Sequence, residues 1–284
     1  CEKDPVDPDP TICEIHVTDD ITENTTWEAS CVYYVDQSIN ITNNSILTIE
    51  AGTIIKFAPG KMLDVSYYSS STGNIIALGT EKDPILFTSQ ASVKSKGDWD
   101  GIWLYAGADA SEFSYCTFEY AGGSGWSGGE GALTINLAQN VSIDNCTFEN
   151  SESLGVRVYQ SRSGLKSFTG NTFNDNEVND LNLSAYNVSS IGEGNNFSKD
   201  IEVRGSDIDA PGDVLWRKQN AHYILLEGVI VGSGIGTKLI IEAGTSIKLS
   251  KAYGIDIAYA SSRIGMIEAK GTASEPIQFT SESA

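Results

Sequence analysis

CTFEY (Cys116–Tyr120) is the first of four related five-residue segments that decide the fold of this 284-residue chain. The series continues with CTFEN (Cys146–Asn150), NTFND (Asn171–Asp175) and NNFSK (Asn195–Lys199), so its phenylalanines are 30, 25 and 24 residues apart. Three short strands joined by tight turns use about 24 residues. The spacing therefore predicts that each segment lies one coil above the last in a stacked β structure.

Three columns of inward-facing residues follow from this stacking, with neighbours in each column about 4.8 Å apart. The first column is aromatic and comprises Phe118, Phe148, Phe173 and Phe197. The second lies five residues upstream and comprises Phe113, Ile143 and Phe168. The third lies at a bend and comprises Cys116, Cys146, Asn171 and Asn195. Asparagines at such a bend can hydrogen-bond along the stack, so the sequence predicts a parallel β-solenoid with coils of about 24 residues.

The two copies of a longer repeat lie before and after these coils in the sequence. LTIEAGTIIKF (Leu47–Phe57) returns 192 residues later as LIIEAGTSIKL (Leu239–Leu249), with 8 of 11 positions identical. ALGTEKDPILFTS (Ala77–Ser89) returns at the same offset as AKGTASEPIQFTS (Ala269–Ser281), with 8 of 13 positions identical. Because this offset is a whole multiple of the coil length, the sequence predicts that a block of coils is duplicated and that the first phrase recurs after about eight coils.

The composition limits the function. Hydrophobic residues make up 40% of the chain, which is enough to bury a large core. The 38 acidic and 18 basic side chains give a formal net charge of -20, which repels phosphate backbones and argues against nucleic acid as a partner. No run approaches the roughly 20 consecutive apolar residues of a membrane-spanning helix.

The first residues resemble the mature start of a bacterial lipoprotein, in which the cysteine after the signal peptide carries the lipid. Cys1 would be that residue, and Glu2, Lys3 and Asp4 are similar to the signals that send lipoproteins of the Bacteroidetes to the outside of the outer membrane. The resemblance implies a surface-exposed lipoprotein of a Gram-negative bacterium that touches the membrane only through the lipid on Cys1. The alternative is an arbitrary start at a cysteine. Prolines and acids near the start predict that residues 1–26 are a solvated tether.

Four cysteines remain when Cys1 is set aside. In an oxidising exterior, Cys13 and Cys31 are candidates for a disulfide that ties the tether to the start of the fold. Cys116 and Cys146 recur inside the repeat, and we expect them to be stacked core thiols. No CxxC pair with the spacing of a metal site exists in the sequence.

Several of these segments together resemble a known family. The two repeated phrases, GDWDGIW (Gly97–Trp103) and SYCTFEYAGG (Ser114–Gly123) are similar to the right-handed parallel β-helix proteins displayed by Bacteroidetes, which have the pectin-lyase-like fold and are often described as adhesins. The resemblance implies an all-β, right-handed parallel β-helix over residues 27–284. Within it, 27–215 would form the first block of coils and 216–284 a second, incomplete copy.

The pectin-lyase-like fold hosts polysaccharide lyases and glycoside hydrolases as well as binding proteins, so the fold does not decide the function. The resemblance implies that a lyase would pair calcium-binding carboxylates with an arginine or lysine base on the outer face of one sheet. A hydrolase would instead cluster two or three carboxylates. Arg157 and Arg162 are the candidate bases, with surface arginines as the alternative interpretation, and Arg157 is also a candidate ligand-binding residue. Asp98 and Asp100 would share one side of a strand, but we interpret their motif, GDWDG, as a structural feature of the coil.

A calcium site is a further hypothesis. NDNEVND (Asn174–Asp180) supplies the carboxylates of Asp175, Glu177 and Asp180, and calcium prefers oxygen ligands. The segment departs from an EF-hand loop, so a solvated turn is the alternative interpretation. Calcium is the one cofactor that the sequence suggests.

A glycine-rich segment, AGGSGWSGGEGA (Ala121–Ala132), is predicted to project as a loop. Trp126 at its tip has no obvious core to fill, and exposed aromatic rings on loops are typical of binding sites. Tyr120 lies just before the loop and could join Trp126 in binding a sugar. The alternative is that Trp126 folds back against the solenoid.

These observations predict a monomeric surface module for binding or adhesion, with a glycan or a host surface protein as its partner. No convergent catalytic set emerges, so we expect the protein not to be an enzyme. A polysaccharide lyase or glycoside hydrolase is the first alternative, and a passive structural spacer is the second.

Overall fold

The computed structural model describes residues 13–67, 71–123, 131–160, 163–250 and 252–281, which form a right-handed parallel β-helix. The predicted fold class is therefore confirmed.

The first strands are β1 (Cys13–Val17), β2 (Thr25–Trp27), β3 (Cys31–Val35), β4 (Ile39–Ile41), β5 (Ser45–Ile49), β6 (Ile54–Phe57), β7 (Met62–Val65), β8 (Gly73–Leu78), β9 (Ile85–Ser89) and β10 (Gly101–Leu104). The middle strands are β11 (Glu112–Ser114), β12 (Cys116–Glu119), β13 (Gly131–Ile135), β14 (Val141–Asp144), β15 (Thr147–Glu149), β16 (Leu154–Val158), β17 (Leu165–Thr169), β18 (Thr172–Asn174) and β19 (Asn179–Ser184). The last strands are β20 (Ile201–Arg204), β21 (Asp207–Ile208), β22 (Gly212–Trp216), β23 (Tyr223–Leu225), β24 (Val229–Val231), β25 (Thr237–Ile241), β26 (Ser246–Leu249), β27 (Ile255–Ile257), β28 (Gly265–Ala269) and β29 (Gln278–Ser281).

Successive strands of the chain are distributed over three faces, and their neighbours within each face are parallel. The seven-stranded sheet has the order β1-β3-β6-β9-β12-β15-β18, and the six-stranded sheet has the order β2-β5-β8-β11-β14-β17. The third face is one ten-stranded sheet, β4-β7-β10-β13-β16-β19-β20-β23-β26-β29. From β21 onward, two three-stranded sheets, β21-β24-β27 and β22-β25-β28, form the other faces. The ten-stranded sheet therefore runs through both blocks of coils.

One short helix interrupts the strands. It is the 3₁₀ helix Ala185–Ser190, which follows β19 and buries Ala185, Asn187 and Val188. In the described part of the chain, no helix has the length and apolar character needed to cross a membrane.

The aromatic column predicted from the repeat is confirmed. Each ring lies over the next: the centroids of Phe118 and Phe148 are 4.9 Å apart, and those of Phe148 and Phe173 are 5.2 Å apart. Phe197 follows Phe173 at 5.1 Å, and Phe87 extends the column in the other direction, 4.8 Å from Phe118. Because the pleat points alternate side chains to opposite faces, one aromatic residue per coil fills the interior at this level.

The other two predicted columns are also present. The second column is in register from strand to strand and comprises Phe113, Ile143 and Phe168. At the bend, the side-chain amide of Asn171 donates to the side-chain oxygen of Asn195 at 3.2 Å. The backbone N–H of Cys146 donates to the side-chain oxygen of Asn171 at 2.9 Å. The thiols of Cys116 and Cys146 are buried and free, so amide and thiol side chains share this column.

The predicted tether is too long. Within residues 13–26, β1 pairs in parallel with β3 along its whole length, and β2 begins at Thr25 and pairs with β5. A disulfide joins Cys13 to Cys31 across the first of these pairs. Residues 13–26 therefore belong to the coils and are not a tether, and residues 1–12 lie outside the described part of the chain.

The duplicated phrase recurs, but not after eight whole coils. Its first copy spans β5 and β6, in the six-stranded and seven-stranded sheets, whereas its second copy spans β25 and β26, and β26 lies in the ten-stranded sheet. Between β5 and β25 the chain passes seven times through the ten-stranded sheet, at β7, β10, β13, β16, β19, β20 and β23. Seven passes correspond to about seven coils, one fewer than predicted, because several coils are longer than 24 residues.

The new side sheets start with β21 at Asp207 and β22 at Gly212, directly after the coil that contains the 3₁₀ helix, so the predicted boundary at residue 216 falls at the last residue of β22. A single hydrophobic core continues from one block to the other.

Candidate functional site

The outer face of the ten-stranded sheet carries a row of aromatic, amide and charged side chains. We use the name outer face for the side chains of Tyr67, Trp103, Tyr105, Thr134, Arg157, Tyr159, Asn182, Glu202 and Arg204. They face outward because their strand neighbours face inward: Ile102 and Leu104, for example, are fully buried on either side of Trp103. The outer face is not open along its whole length, because Thr134 is fully buried and Asn182 is nearly so.

Strand register places the central members of the outer face in line. Trp103 is opposite Thr134, Thr134 is opposite Arg157, and Arg157 is opposite Asn182. Asn182 is in turn opposite Glu202. Four steps between parallel strands separate the two ends of this line, which is a length of about 19 Å.

An aromatic cluster occupies one part of the outer face. The rings of Trp103 and Tyr105 are stacked with centroids 5.7 Å apart, and Tyr67 meets the edge of Tyr105 at 5.1 Å. Tyr67 is 50% exposed, whereas Trp103 is only 8% exposed. The indole N–H of Trp103 has no hydrogen-bond partner among the described residues. The buried ring of Trp103 therefore supports the cluster, and Tyr67 is the ring that solvent or a ligand can reach.

Two arginines form a positive pair beside this cluster. The guanidinium of Arg157 lies over the ring of Tyr159 at 4.5 Å. Arg204, from β20, reaches across β19 and donates to the backbone carbonyl of Val158 on β16. Burial lowers the pKa of the Arg204 guanidinium, and the positive charge of Arg157 lowers this pKa further. Arginine nonetheless stays charged in proteins, so the outer face holds two mutually repelling cations in a chain of strongly negative charge.

Glu202 supplies a fixed carboxylate next to the arginines. Its two oxygens accept hydrogen bonds from the side-chain amides of Asn179 at 2.6 Å and Asn182 at 2.7 Å. The side-chain oxygen of Asn182 is buried and has no partner among the described residues. The carboxylate is thus held in place by its neighbours.

A second acidic group lies farther along the sheet. Asp200 accepts from His222 Nδ1 at 2.7 Å and from Lys248 Nζ at 2.8 Å. Burial opposes ionisation of Asp200, but the hydrogen bonds from Lys248 and His222 outweigh it and lower the pKa of this carboxyl group. Asp200, His222 and Lys248 come from three successive strands of the sheet or the residues before them, and they tie these coils together.

The structure brings only part of the predicted ligand-binding set to the outer face. Arg157 lies there. Tyr120 follows β12 in the seven-stranded sheet, where its ring lies 5.3 Å from the ammonium of Lys94, and Lys94 pairs with Glu119 at 2.5 Å. Trp126 lies outside the described residues, as does the predicted lipidation site Cys1.

The three carboxylates of the predicted calcium site have separate roles. Asp175 and Glu177 are exposed and both pair with Lys96, at 3.1 and 3.3 Å. Asp180 is fully buried and accepts from the backbone N–H groups of Ser198 and Lys199 at 2.6 and 2.7 Å. In the described ranges, no group of three or more acidic, histidine or cysteine side chains is arranged to hold a metal ion. The structure therefore does not bring the three carboxylates together, because Asp180 is buried while Asp175 and Glu177 are exposed, and calcium binding stays a prediction.

The GDWDG motif is structural, as the sequence indicated. Trp99 is fully buried, its ring is stacked on Phe57 with centroids 4.1 Å apart, and its indole N–H donates to the carbonyl of Glu119 at 2.9 Å. The carboxylate of Asp98 accepts the N–H of Ser95 at 2.9 Å and closes the turn. Burial raises the pKa of Asp100, against the opposing influence of Lys61.

Sequence reasoning missed the aromatic cluster and Arg204. The signal for Trp103 and Tyr105 was present in GIWLY (Gly101–Tyr105), where alternation makes Ile102 and Leu104 inward and the aromatic residues outward. The closeness of Arg204 to Arg157 had no such signal, because the two arginines are 47 positions apart and meet through the coils between them.

Comparison with known proteins gives one match. A family model described as a pectate-lyase like beta helix domain matches residues 19–129. This range contains Tyr67, Trp103 and Tyr105 but ends before Arg157. No curated protein and no solved structure matches the chain. The family match agrees with the fold and carries no information about a ligand.

Proposed function

We propose that this protein is a glycan-binding module of a bacterial cell surface, held at the outer membrane through Cys1, and that it binds glycans along the outer face of the ten-stranded sheet. The observation that carries the proposal is that one face of the sheet holds both a supported, half-exposed ring at Tyr67 and, three strands farther along, the Arg157–Arg204 pair. An aromatic ring can stack on the apolar side of a sugar. Two guanidinium groups can each bind a carboxylate.

The charge distribution favours one class of glycan. A net charge of -20 repels a densely charged polyanion. The arginine pair is a local exception, and a bound carboxylate would add to the neighbouring acids Glu227 and Glu202 in offsetting the repulsion between the two cations. We therefore propose a glycan whose carboxylated sugars are separated by neutral ones.

Affinity electrophoresis tests this function. The protein is run through native gels containing neutral, sparsely carboxylated or densely carboxylated polysaccharides, and the size of each polymer is followed. We expect retardation by the sparsely carboxylated polymers without shortening. Shortening would instead identify a lyase or hydrolase, and absence of retardation across the panel would contradict the proposal and favour a spacer or a protein partner.

Point variants test the location of the site. Tyr67→Ala and Arg157→Gln should each weaken retention at least ten-fold, since loss of one good contact costs about 1.4 kcal/mol or more. Tyr253→Ala is the matched control, because Tyr253 is 48% exposed but lies outside the outer face. Equal loss in Tyr67→Ala and Tyr253→Ala would show that binding takes place elsewhere.

A further inference from the structure

A cavity of about 270 Å³ opens where the two blocks of coils meet. At this point the chain forms the 3₁₀ helix Ala185–Ser190 where a further strand of the six-stranded sheet would be expected, and β17 is the last strand of that sheet. The two three-stranded sheets begin in the next coil with β21 and β22. The helix contacts β17 on one side and both of these strands on the other. We call this space the seam cavity.

The seam cavity has an apolar floor and a polar rim. The floor includes Leu165, Ile208 and Val214, all of them buried. Around them lie the side chains of Gln139, Asn140, Tyr186, Asn187, Ser189 and Ser190. None of the described residues that line the cavity carries a charge, although the chain has 56 acidic and basic side chains in total. The lining therefore offers no counter-charge to an ionic ligand.

Some of the polar groups at the rim are free to bind. The hydroxyls of Ser189 and Ser190 and the side-chain amide of Asn140 make no hydrogen bond to another described residue. Deeper in the cavity, Asn187 is held by its amide, which donates to the hydroxyl of Ser184 at 3.1 Å. A wholly apolar ligand would leave the free hydroxyls and amide without partners, which is costly once water is displaced. A ligand with hydroxyls at its edge and an apolar surface beneath them satisfies both parts of the lining.

We propose that the seam cavity binds a single neutral sugar residue. Its volume lies just below the usual range for sites of drug-sized ligands, so it has room for one sugar ring. Ring hydroxyls of the sugar would bond to Ser189, Ser190 and Asn140, and its apolar side would rest on Ile208 and Val214. The site is distinct from the outer face, because every described residue that lines it lies outside the strands of the ten-stranded sheet.

Titration of the whole chain with neutral methyl hexopyranosides tests the proposal, by calorimetry and saturation-transfer NMR. We expect at least one of these glycosides to bind in the millimolar range. The double variant Ser189→Ala/Ser190→Ala should weaken this binding at least ten-fold. Ser261→Ala/Ser262→Ala is the matched control, because these adjacent serines are exposed and lie in a turn away from the cavity. Circular dichroism checks that both double variants remain folded.

Two further measurements make the result decisive. Ala210→Phe adds a ring inside the cavity and should abolish binding without removing any hydroxyl. Tyr67→Ala and Arg157→Gln should leave monosaccharide binding unchanged, which separates this site from the outer face. Absence of binding by every glycoside at tens of millimolar, or binding that survives both Ser189→Ala/Ser190→Ala and Ala210→Phe, would overturn the proposal.

The source of the sugar is a separate arm of the same experiment. A free monosaccharide and the terminal residue of a glycan present the same chemistry to the cavity. Oligosaccharides that end in the binding sugar should match the affinity of the methyl glycoside if the cavity takes a chain terminus. They should bind at least ten-fold more weakly than the methyl glycoside if it takes the free sugar.

Discussion

At the scale of single residues, the duplication places the same amino acid in two environments. Phe87 and Phe279 occupy equivalent positions of the two copies, 192 residues apart. Phe87 is fully buried and stacks on Phe118, whereas Phe279 lies on the last described strand and is 48% exposed. The difference in exposed fraction between the two side chains shows how much a covering coil contributes to the burial of this position.

Phe87→Ala should destabilise the protein by about 3–5 kcal/mol, because it removes buried aromatic area and leaves a cavity in the column. Phe279→Ala should lower the free energy of unfolding by less than half as much, since Phe279 is 48% exposed to water in the folded protein. Urea unfolding followed by circular dichroism measures both. Equal losses would show that the ring column does not carry the stability of the coils.

Asp180 offers a second test at this scale, because its buried carboxylate caps the backbone N–H groups of Ser198 and Lys199. Asp180→Ala would leave these donors unsatisfied and should cost about 3 kcal/mol or more. Glu177→Ala, which removes an exposed partner of Lys96, should cost less than about 1 kcal/mol. Thermal melts of the two variants compare them. A larger loss for Glu177→Ala would contradict the structural role of Asp180.

At the scale of elements, Asp200 links β20 to β23 and β26 through His222 and Lys248. Its pKa is lower in the folded protein than the ordinary value of about 3.9 in an unfolded chain. The stability it contributes is therefore present in full above that ordinary value and is lost as the pH falls through the folded pKa.

Asp200→Asn should lower the free energy of unfolding at pH 7, and its difference from the natural protein should shrink as the pH falls below about 4. Urea unfolding at a series of pH values measures this difference. Asp213→Asn is the control, because Asp213 also pairs with a lysine of the next coil, Lys238, but is 63% exposed. If the difference in free energy of unfolding between Asp200→Asn and the natural protein stayed constant as the pH fell below about 4, the ion-pair origin of the effect would be contradicted.

The elements also show how far the sequence could predict the structure. The coils, the aromatic column and the asparagine bend were predictable, because stacking repeats the same residue type at each level. The number of coils between the two copies was not, since it depends on the unequal lengths of the coils and on the 3₁₀ helix Ala185–Ser190. The outer face and the seam cavity depend on the same coil lengths and on the same helix. Their residues are related neither by periodicity nor by a fixed spacing in the sequence, so they could not be predicted from it.

At the scale of the whole molecule, the first and last described coils differ. At the N-terminal end, Ile21 and Trp27 are buried and the Cys13–Cys31 disulfide joins β1 to β3. At the other end, residues of the last coil that are equivalent to core positions are open to solvent. Ile267, for example, is paired with the buried Leu239 but is 42% exposed. In a solenoid each coil is stabilised mainly by its neighbours, so within the 284-residue chain the last described coil should open most easily.

Amide hydrogen exchange should therefore be fastest in β27, β28 and β29 and should slow progressively toward β16, in the middle of the ten-stranded sheet. The strands β3 and β5, near the N-terminal end, should exchange more slowly than the last three, because Trp27 and the disulfide restrain that end. Reduction of the disulfide should speed exchange in β1 and β3 while leaving β16 unchanged, since the effect of a local opening falls off from coil to coil. Uniform exchange along the chain, or equal acceleration of β3 and β16 by the reductant, would instead show that all the coils unfold as one cooperative unit.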